Sequence, residues 1–286
     1  MIKMELEIHA YGMLHPGHME WTPDGRLLVS EFGRGRILDV TKGGNMRDAV
    51  PFAYNLSHPA AILPYKDRIL VTDAGFNAIL DITEGGDQSR PKIVAKVSGP
   101  YGLAVYHNEI YSTFSTQIES GIVKIGKNGE VIRFVTGFPV VYSIWSKIYK
   151  LISPCGNWQI PLPEEMDILI FSHGGLGKLY DISQGGDFNY LEQNSLLVKG
   201  LNEQIGMIFN KHDKNLYIVE SKGADVKSVS LEELKIARDK HEPIDLRFRV
   251  PIVSGFYEPR CVRFSEDGKI MYVCDIAAGV IWKIRI

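Results

Sequence analysis

The chain has 286 residues, 45% hydrophobic and 23% charged, with a formal net charge of −2; this is the balance of a globular protein with a large core and it excludes a disordered chain. No long run of one charge sign marks a nucleic-acid groove or an anionic membrane surface, so neither partner is expected. Cys155, Cys261 and Cys274 form no closed disulfide framework and no metal knuckle, which points to the cytoplasm, and no apolar stretch reads as a signal peptide or a membrane span.

In chain order, residues 4–11 (MELEIHAY) alternate like a strand but have no unit of their own. From His15 a first unit reads HPGHMEWTPDGRLLVSEFGRGRILDVTKGGN, and from His58 a second, HPAAILPYKDRILVTDAGFNAILDITEGGD, matches it almost element for element. Further units begin at Gly99 (GPYGLAVYHNEIYSTFS), at Phe138 (FPVVYSI, resuming at DILIFSHGGLGKLYDISQGGD), at Glu203 (EQIGMIFNKHDKNLYIVESKG) and at Glu258 (EPRCVRFSEDGKIMYVCDIAAGVIWKIRI). A strand-rich period of about 40 residues is the mark of a propeller. Turn residues sit where the strands must reverse, as in Pro23-Asp24-Gly25, Asn128-Gly129 and Glu266-Asp267-Gly268. The GGN or GGD after the third strand of units 1, 2 and 4 reads as a hairpin to a fourth strand.

The expected fold is therefore all-β: a single six-bladed β-propeller with four-stranded blades. The chain stops at Ile286 after the third strand of the last unit, so the N-terminal strand is expected to complete that blade and close the ring. Residues 144–165 read as an insertion between the first two strands of blade 4. With Trp145, Tyr149 and Trp158 it makes either a lid over the channel mouth or a flap on the blade's side. Residues 230–240 read as a short helix with a capping box of Ser230 and Glu233.

Antiparallel pairing brings the start of each first strand and the end of each second strand to one mouth of the channel. Aligning the units gives His15, His58, Gly99, Phe138, Glu203 and Glu258 at the lead-in, with Tyr101 and Arg260 two positions after the lead-in residue of units 3 and 6. The second strands end in Glu31, Asp73, Thr113, His173, Glu220 and Asp275, all polar. Such a column is either architectural, its side chains accepting buried backbone amides, or functional. On the functional reading Glu31, Asp73, Glu220 and Asp275 hold a divalent cation, calcium or magnesium rather than zinc or manganese, while His15, His58, His173 and Glu31 do the chemistry. Tyr101, Arg260 and Trp158 are the candidate substrate contacts. Gly174-Gly175-Leu176-Gly177 opens no helix, so no nucleotide cofactor is expected.

The repeat form, proline and strand, Asp-Gly turn, strand ending in an acid, then a strand such as RILDV or VIWKI, resembles NHL-repeat propellers and the gluconolactonase and senescence-marker-protein superfamily. That superfamily holds a divalent metal through a Glu-Gly-Pro and through Pro-Asn-Gly and Pro-Asp-Gly segments, where this chain reads HPGHMEW, Pro100-Tyr101-Gly102 and Gln204-Ile205-Gly206. Ser30-Glu31-Phe32-Gly33 is similar to the Thr-Glu-Trp-Gly strand ends of streptogramin lyases, which carries over Glu31 alone. The resemblance implies a small-molecule substrate and lactone hydrolysis, elimination or cyclisation, in which the cation polarises a carbonyl and a histidine moves the proton. The other reading is a non-catalytic propeller that binds a protein or a small ligand through its top loops.

Overall fold

The computed structural model describes residues 5–139, 157–162 and 166–286. Its strands form six sheets in a ring. Blade 1 runs from the axis outward through Pro16–Trp21, Leu27–Glu31, Arg36–Asp39 and Ala53–Tyr54. Blade 2 follows with Pro59–Tyr65, Arg68–Asp73, Ala78–Asp81 and Lys92–Lys96, and blade 3 with Leu103–Tyr106, Glu109–Ser115, Ser120–Ile125 and Val131–Phe138. Blade 4 comprises Asn157–Pro161, Leu169–His173, Lys178–Asp181 and Leu196–Lys199. Blade 5 comprises Gln204–Asn210, Asn215–Glu220, Asp225–Ser230 and Val253–Ser254. Blade 6 takes Pro259–Phe264, Ile270–Asp275 and Val280–Arg285 from the C-terminal end and Glu7–Tyr11 from the N-terminal end, paired antiparallel with Glu7 opposite Lys283. This closure removes the sheet edge that a chain ending at a third strand would leave.

The second and third strands are apolar on both faces because each blade is covered by the next. Leu28, Ile37, Leu56, Ile62, Val71 and Leu80 form one such layer between blades 1 and 2. The innermost strand of every blade packs against those of its two neighbours, so the ring is continuous around the axis.

The structure corrects two readings. The innermost strand of blade 4 is Asn157–Pro161, with Asn157 opposite His173, so the period is broken ahead of that strand and not between the first two strands. Phe138 accordingly ends the outer strand of blade 3, with its ring buried against Phe171 and Tyr180. The GGN and GGD segments, in turn, are more than hairpin turns. Gly44–Asn45 pairs in parallel with Glu7–Tyr11, Gly86–Asp87 with Ala53–Tyr54, and Gly186–Asp187 with Val131–Phe138. In blade 5 Ile244–Asp245 does the same with Leu196–Lys199. Each segment thus bridges the rim to the outer strand of the preceding blade. In the Gly-Gly segments the first glycine is required by a close approach: at Gly85, with φ +64°, a Cβ would lie 2.4 Å from the carbonyl oxygen of Phe52.

Among the described residues two helices sit on the outside. The first, α1 (Phe188–Asn194), was not anticipated from sequence; it is capped by Asp187, which accepts from the amide of Tyr190 at 3.0 Å. The second, α2 (Leu231–Lys240), begins with the capping box of Ser230 and Glu233.

Candidate functional site at the channel mouth

The six strand-end side chains are fully buried, and each turns to the crossover that leads into its own blade. Asp73 is the fullest case: its carboxylate accepts from the amides of Ser57 (2.9 Å), His58 (3.0 Å), Gly75 (3.0 Å) and Phe76 (3.1 Å). Asp275 accepts from the amides of Tyr257, Glu258 and Ala278 and from Trp282 Nε1 at 3.3 Å. Glu31 accepts from Leu14 N at 2.6 Å and pairs with Arg34 and Arg36. Thr113 Oγ1 accepts from Tyr101 and Gly102, and Glu220 from Asn202. His173 Nε2 lies 3.1 Å from the carbonyl of Pro139. The return bond is equally regular, for the carbonyls of His15, His58, Glu203 and Glu258 accept from Phe32, Ala74, Ser221 and Ile276.

This geometry decides how the acids relate to a metal. Glu31, Asp73, Glu220 and Asp275 stand in separate blades, each with oxygens engaged by amides or cations of its own neighbourhood. Among the described residues no three His, Cys, Asp or Glu side chains group as a set for a metal ion. Glu31, Asp73, Glu220 and Asp275, expected from the strand-end column to hold a divalent cation, do not come together as one set of ligands. They fit latches, since a buried amide left without an acceptor costs about 1–3 kcal/mol.

The histidines differ from one another. His58 is half-buried; its Nδ1 lies 3.2 Å from Ser57 Oγ and its ring packs on Phe32 of blade 1, centroids 4.7 Å apart. Burial holds its pKa below the usual imidazole value, with Asp73 pulling partly the other way. It is neutral at neutral pH and able to take a proton. His15 is also half-buried and bends at φ 53° to turn the chain into blade 1. His173 is sealed against Phe138 and lowered to about 4 by burial, so it belongs to the core.

Arg260, 4% exposed, is paired with Glu258. Tyr101 is half-buried, and its carbonyl accepts from Thr72 Oγ1 at 2.7 Å. Trp158 lies on the innermost strand of blade 4, but its side chain, like Trp145 and Tyr149, lies outside the described residues. Cys261 and Cys274 face each other on paired strands as free, buried thiols that burial pushes up in pKa.

A charged cluster nearer the axis escaped the sequence reading. His18 Nδ1 accepts from the amide of Ile62 in blade 2 at 3.1 Å, and its Nε2 lies 2.6 Å from Arg263 Nη2 in blade 6. Arg263 also pairs with Glu20 at 2.9 Å. The signal was available: His18, Glu20 and Arg263 are polar residues in innermost strands where most other blades carry small or apolar ones.

No protein-family model matches the sequence, and no curated protein matches it. Solved structures do resemble the fold. A gluconolactonase from Xanthomonas campestris is 10% identical with a TM-score of 0.66, over 99% of this chain and 89% of that one. A luciferin-regenerating enzyme is 10% identical at 0.67, over 99% and 95%. A catalytically inactive histidine-to-alanine virginiamycin B lyase from Staphylococcus aureus, with quinupristin, is 14% identical at 0.57, over 99% of each chain.

Proposed function

We propose that this propeller is a small-molecule enzyme of the lactonase or lyase kind, working at the mouth with His58 as the proton-transfer group. The observation that carries the reading is the state of His58. It is the mouth histidine held neutral by burial while still reachable from solvent, which is what a general base near neutral pH needs. In hydrolysis of a lactone, His58 takes a proton from water as the water oxygen attacks the carbonyl carbon. The ring C–O bond then breaks, and the proton passes to the departing oxygen. In elimination the same nitrogen takes a proton from the carbon beside the one that bears the ester oxygen; the C–H electrons form a C=C bond as the C–O bond breaks, and the carboxylate leaves with that electron pair. The likeness to a gluconolactonase and to a lyase inactivated by loss of a histidine supports this class of reaction. Latch acids hold amides in this scheme, so the reaction proceeds without a divalent cation on them.

The test is turnover of a panel of lactones and cyclic ester peptides by the wild type, by His58→Ala and after treatment with a chelator. His58→Ala is expected to lower kcat/KM by about 10²–10⁴-fold, with the chelator without effect. No turnover across the panel, or an unaffected variant, overturns the proposal. A second reading, binding of a partner through the top loops, is favoured by apolar side chains exposed there, Ile118 at 91% and Tyr257 at 74%.

A further inference from the structure

The rim bridges are not evenly spread around the ring. Blade 1 is bridged to blade 6 through Gly44–Asn45, and blade 2 to blade 1 through Gly86–Asp87. Blade 4 is bridged to blade 3 through Gly186–Asp187, and blade 5 to blade 4 through Ile244–Asp245. Among the described residues no strand pairing joins blade 3 to blade 2 or blade 6 to blade 5. The two unbridged junctions lie opposite one another and cut the ring into blades 6, 1 and 2 on one side and blades 3, 4 and 5 on the other.

A second, independent feature follows the same division. His18 and Arg263, with Glu20, tie the innermost strands of blades 6, 1 and 2 together near the axis, and Met19 N adds a contact to Cys261 Sγ at 3.4 Å. At the unbridged junctions, where no strands pair, side chains also reach single carbonyls. Tyr65 donates to Asn108 O at 2.8 Å between blades 2 and 3, and the His212 imidazole lies 2.8 Å from Glu266 O between blades 5 and 6. Close backbone approach is kept there on the axial side. A Cβ at Gly206 would lie 2.4 Å from the carbonyl oxygen of Arg260, and the Tyr101 carbonyl accepts from the amide of Ala61 at 3.3 Å. Toward the rim these junctions are closed by packing without strand pairing: a Cβ at Gly129 of blade 3 would lie 2.3 Å from the carbonyl oxygen of Val94 in blade 2, and Leu6 of blade 6 packs on the apolar layer that holds Val253 and Phe256 of blade 5.

We propose that the propeller is built of two three-blade bodies, 6-1-2 and 3-4-5, that open against each other at the junctions between blades 2 and 3 and between blades 5 and 6. Paired strands resist sliding because several backbone hydrogen bonds must break together, whereas packed side chains can slip by small displacements. The division also splits the mouth: His15, His58 and Arg260 ride on one body, Tyr101 and Glu203 on the other. Relative motion of the bodies therefore sets the width of the mouth.

Native-state hydrogen exchange at increasing, sub-denaturing guanidinium concentration tests this in the wild-type protein. The amides of blades 6, 1 and 2 are expected to merge into one opening isotherm and those of blades 3, 4 and 5 into another. Arg263→Met should shift the first isotherm to lower guanidinium and leave the second in place. A single isotherm for all blades, or a grouping that crosses either junction, such as blades 2 and 3 opening together, overturns the proposal. The wild-type grouping decides the matter even where the variant does not fold.

Discussion

Asp73 shows how much one side chain does in this ring. Its two oxygens collect four amides from two loops that are otherwise joined by few bonds. Asp73→Ala leaves those donors buried and unanswered and is expected to cost about 2–4 kcal/mol, read from urea unfolding. Thr113→Val removes one acceptor of two amides while keeping the shape of the side chain, and about 1–2 kcal/mol is expected in the same measurement. Near-neutral stability of either variant would return these residues to the list of candidates for chemistry. That six second strands end in polar residues was legible in the sequence. Their partners were not, because four of the seven amides that Asp73 and Asp275 receive lie in a crossover 15 to 18 residues earlier in the chain.

At the scale of the element, the closing strand and the rim bridges carry the ring. Removing residues 1–11 would strip Val280–Arg285 of its antiparallel partner and take Ala10 out of the core. The expected outcome is a lower Tm together with concentration-dependent association, seen by calorimetry and light scattering, because an unpaired edge recruits other strands. Gly85→Ala places a Cβ against the carbonyl of Phe52 at a left-handed φ and should destabilise by about 1 kcal/mol or more, with the bridge of Gly86–Asp87 to blade 1 exchanging faster. The repeated Gly-Gly signalled a turn. That the turn continues into a parallel pairing with another blade needed the neighbouring outer strand to be in place. The innermost strand of blade 4 was missed for a related reason: NWQIP has no Asp-Gly turn after it and no repeat-like lead-in before it.

For the molecule as a whole, pH acts through groups that folding withdraws from water. His173, lowered to about 4, and His18, lowered well below the usual value, are neutral in the folded state but titrate at about 6.5 when unfolded. The stability they contribute is full above that unfolded value and is lost as pH falls through the folded ones. Asp225 has the opposite sign. Burial, and then the charge of Glu220 opposite it on the next strand, raise its carboxyl to about 7. Its contribution is full below the unfolded carboxylate value and is lost as pH rises through about 7. Wild-type Tm is expected to fall between about pH 6.5 and pH 4, where the histidines outweigh the aspartate. Asp225→Asn should gain on the wild type as pH rises toward 7 and hold a constant advantage above it. Parallel pH profiles of the two proteins would show that Asp225 titrates as an ordinary carboxylate.

The sequence by itself determined the six-bladed ring, its closure by the N-terminal strand and the position of the helix at Leu231–Lys240. Those rest on local periodicity, turn chemistry and the count of strands, which are written in neighbouring residues. Only the tertiary structure decided which amides the polar column accepts, where the rim is bridged and how far each histidine is buried. A carboxylate at a strand end is the same residue whether it holds a cation or four amides; the difference lies in groups that the chain brings to it from other loops and blades.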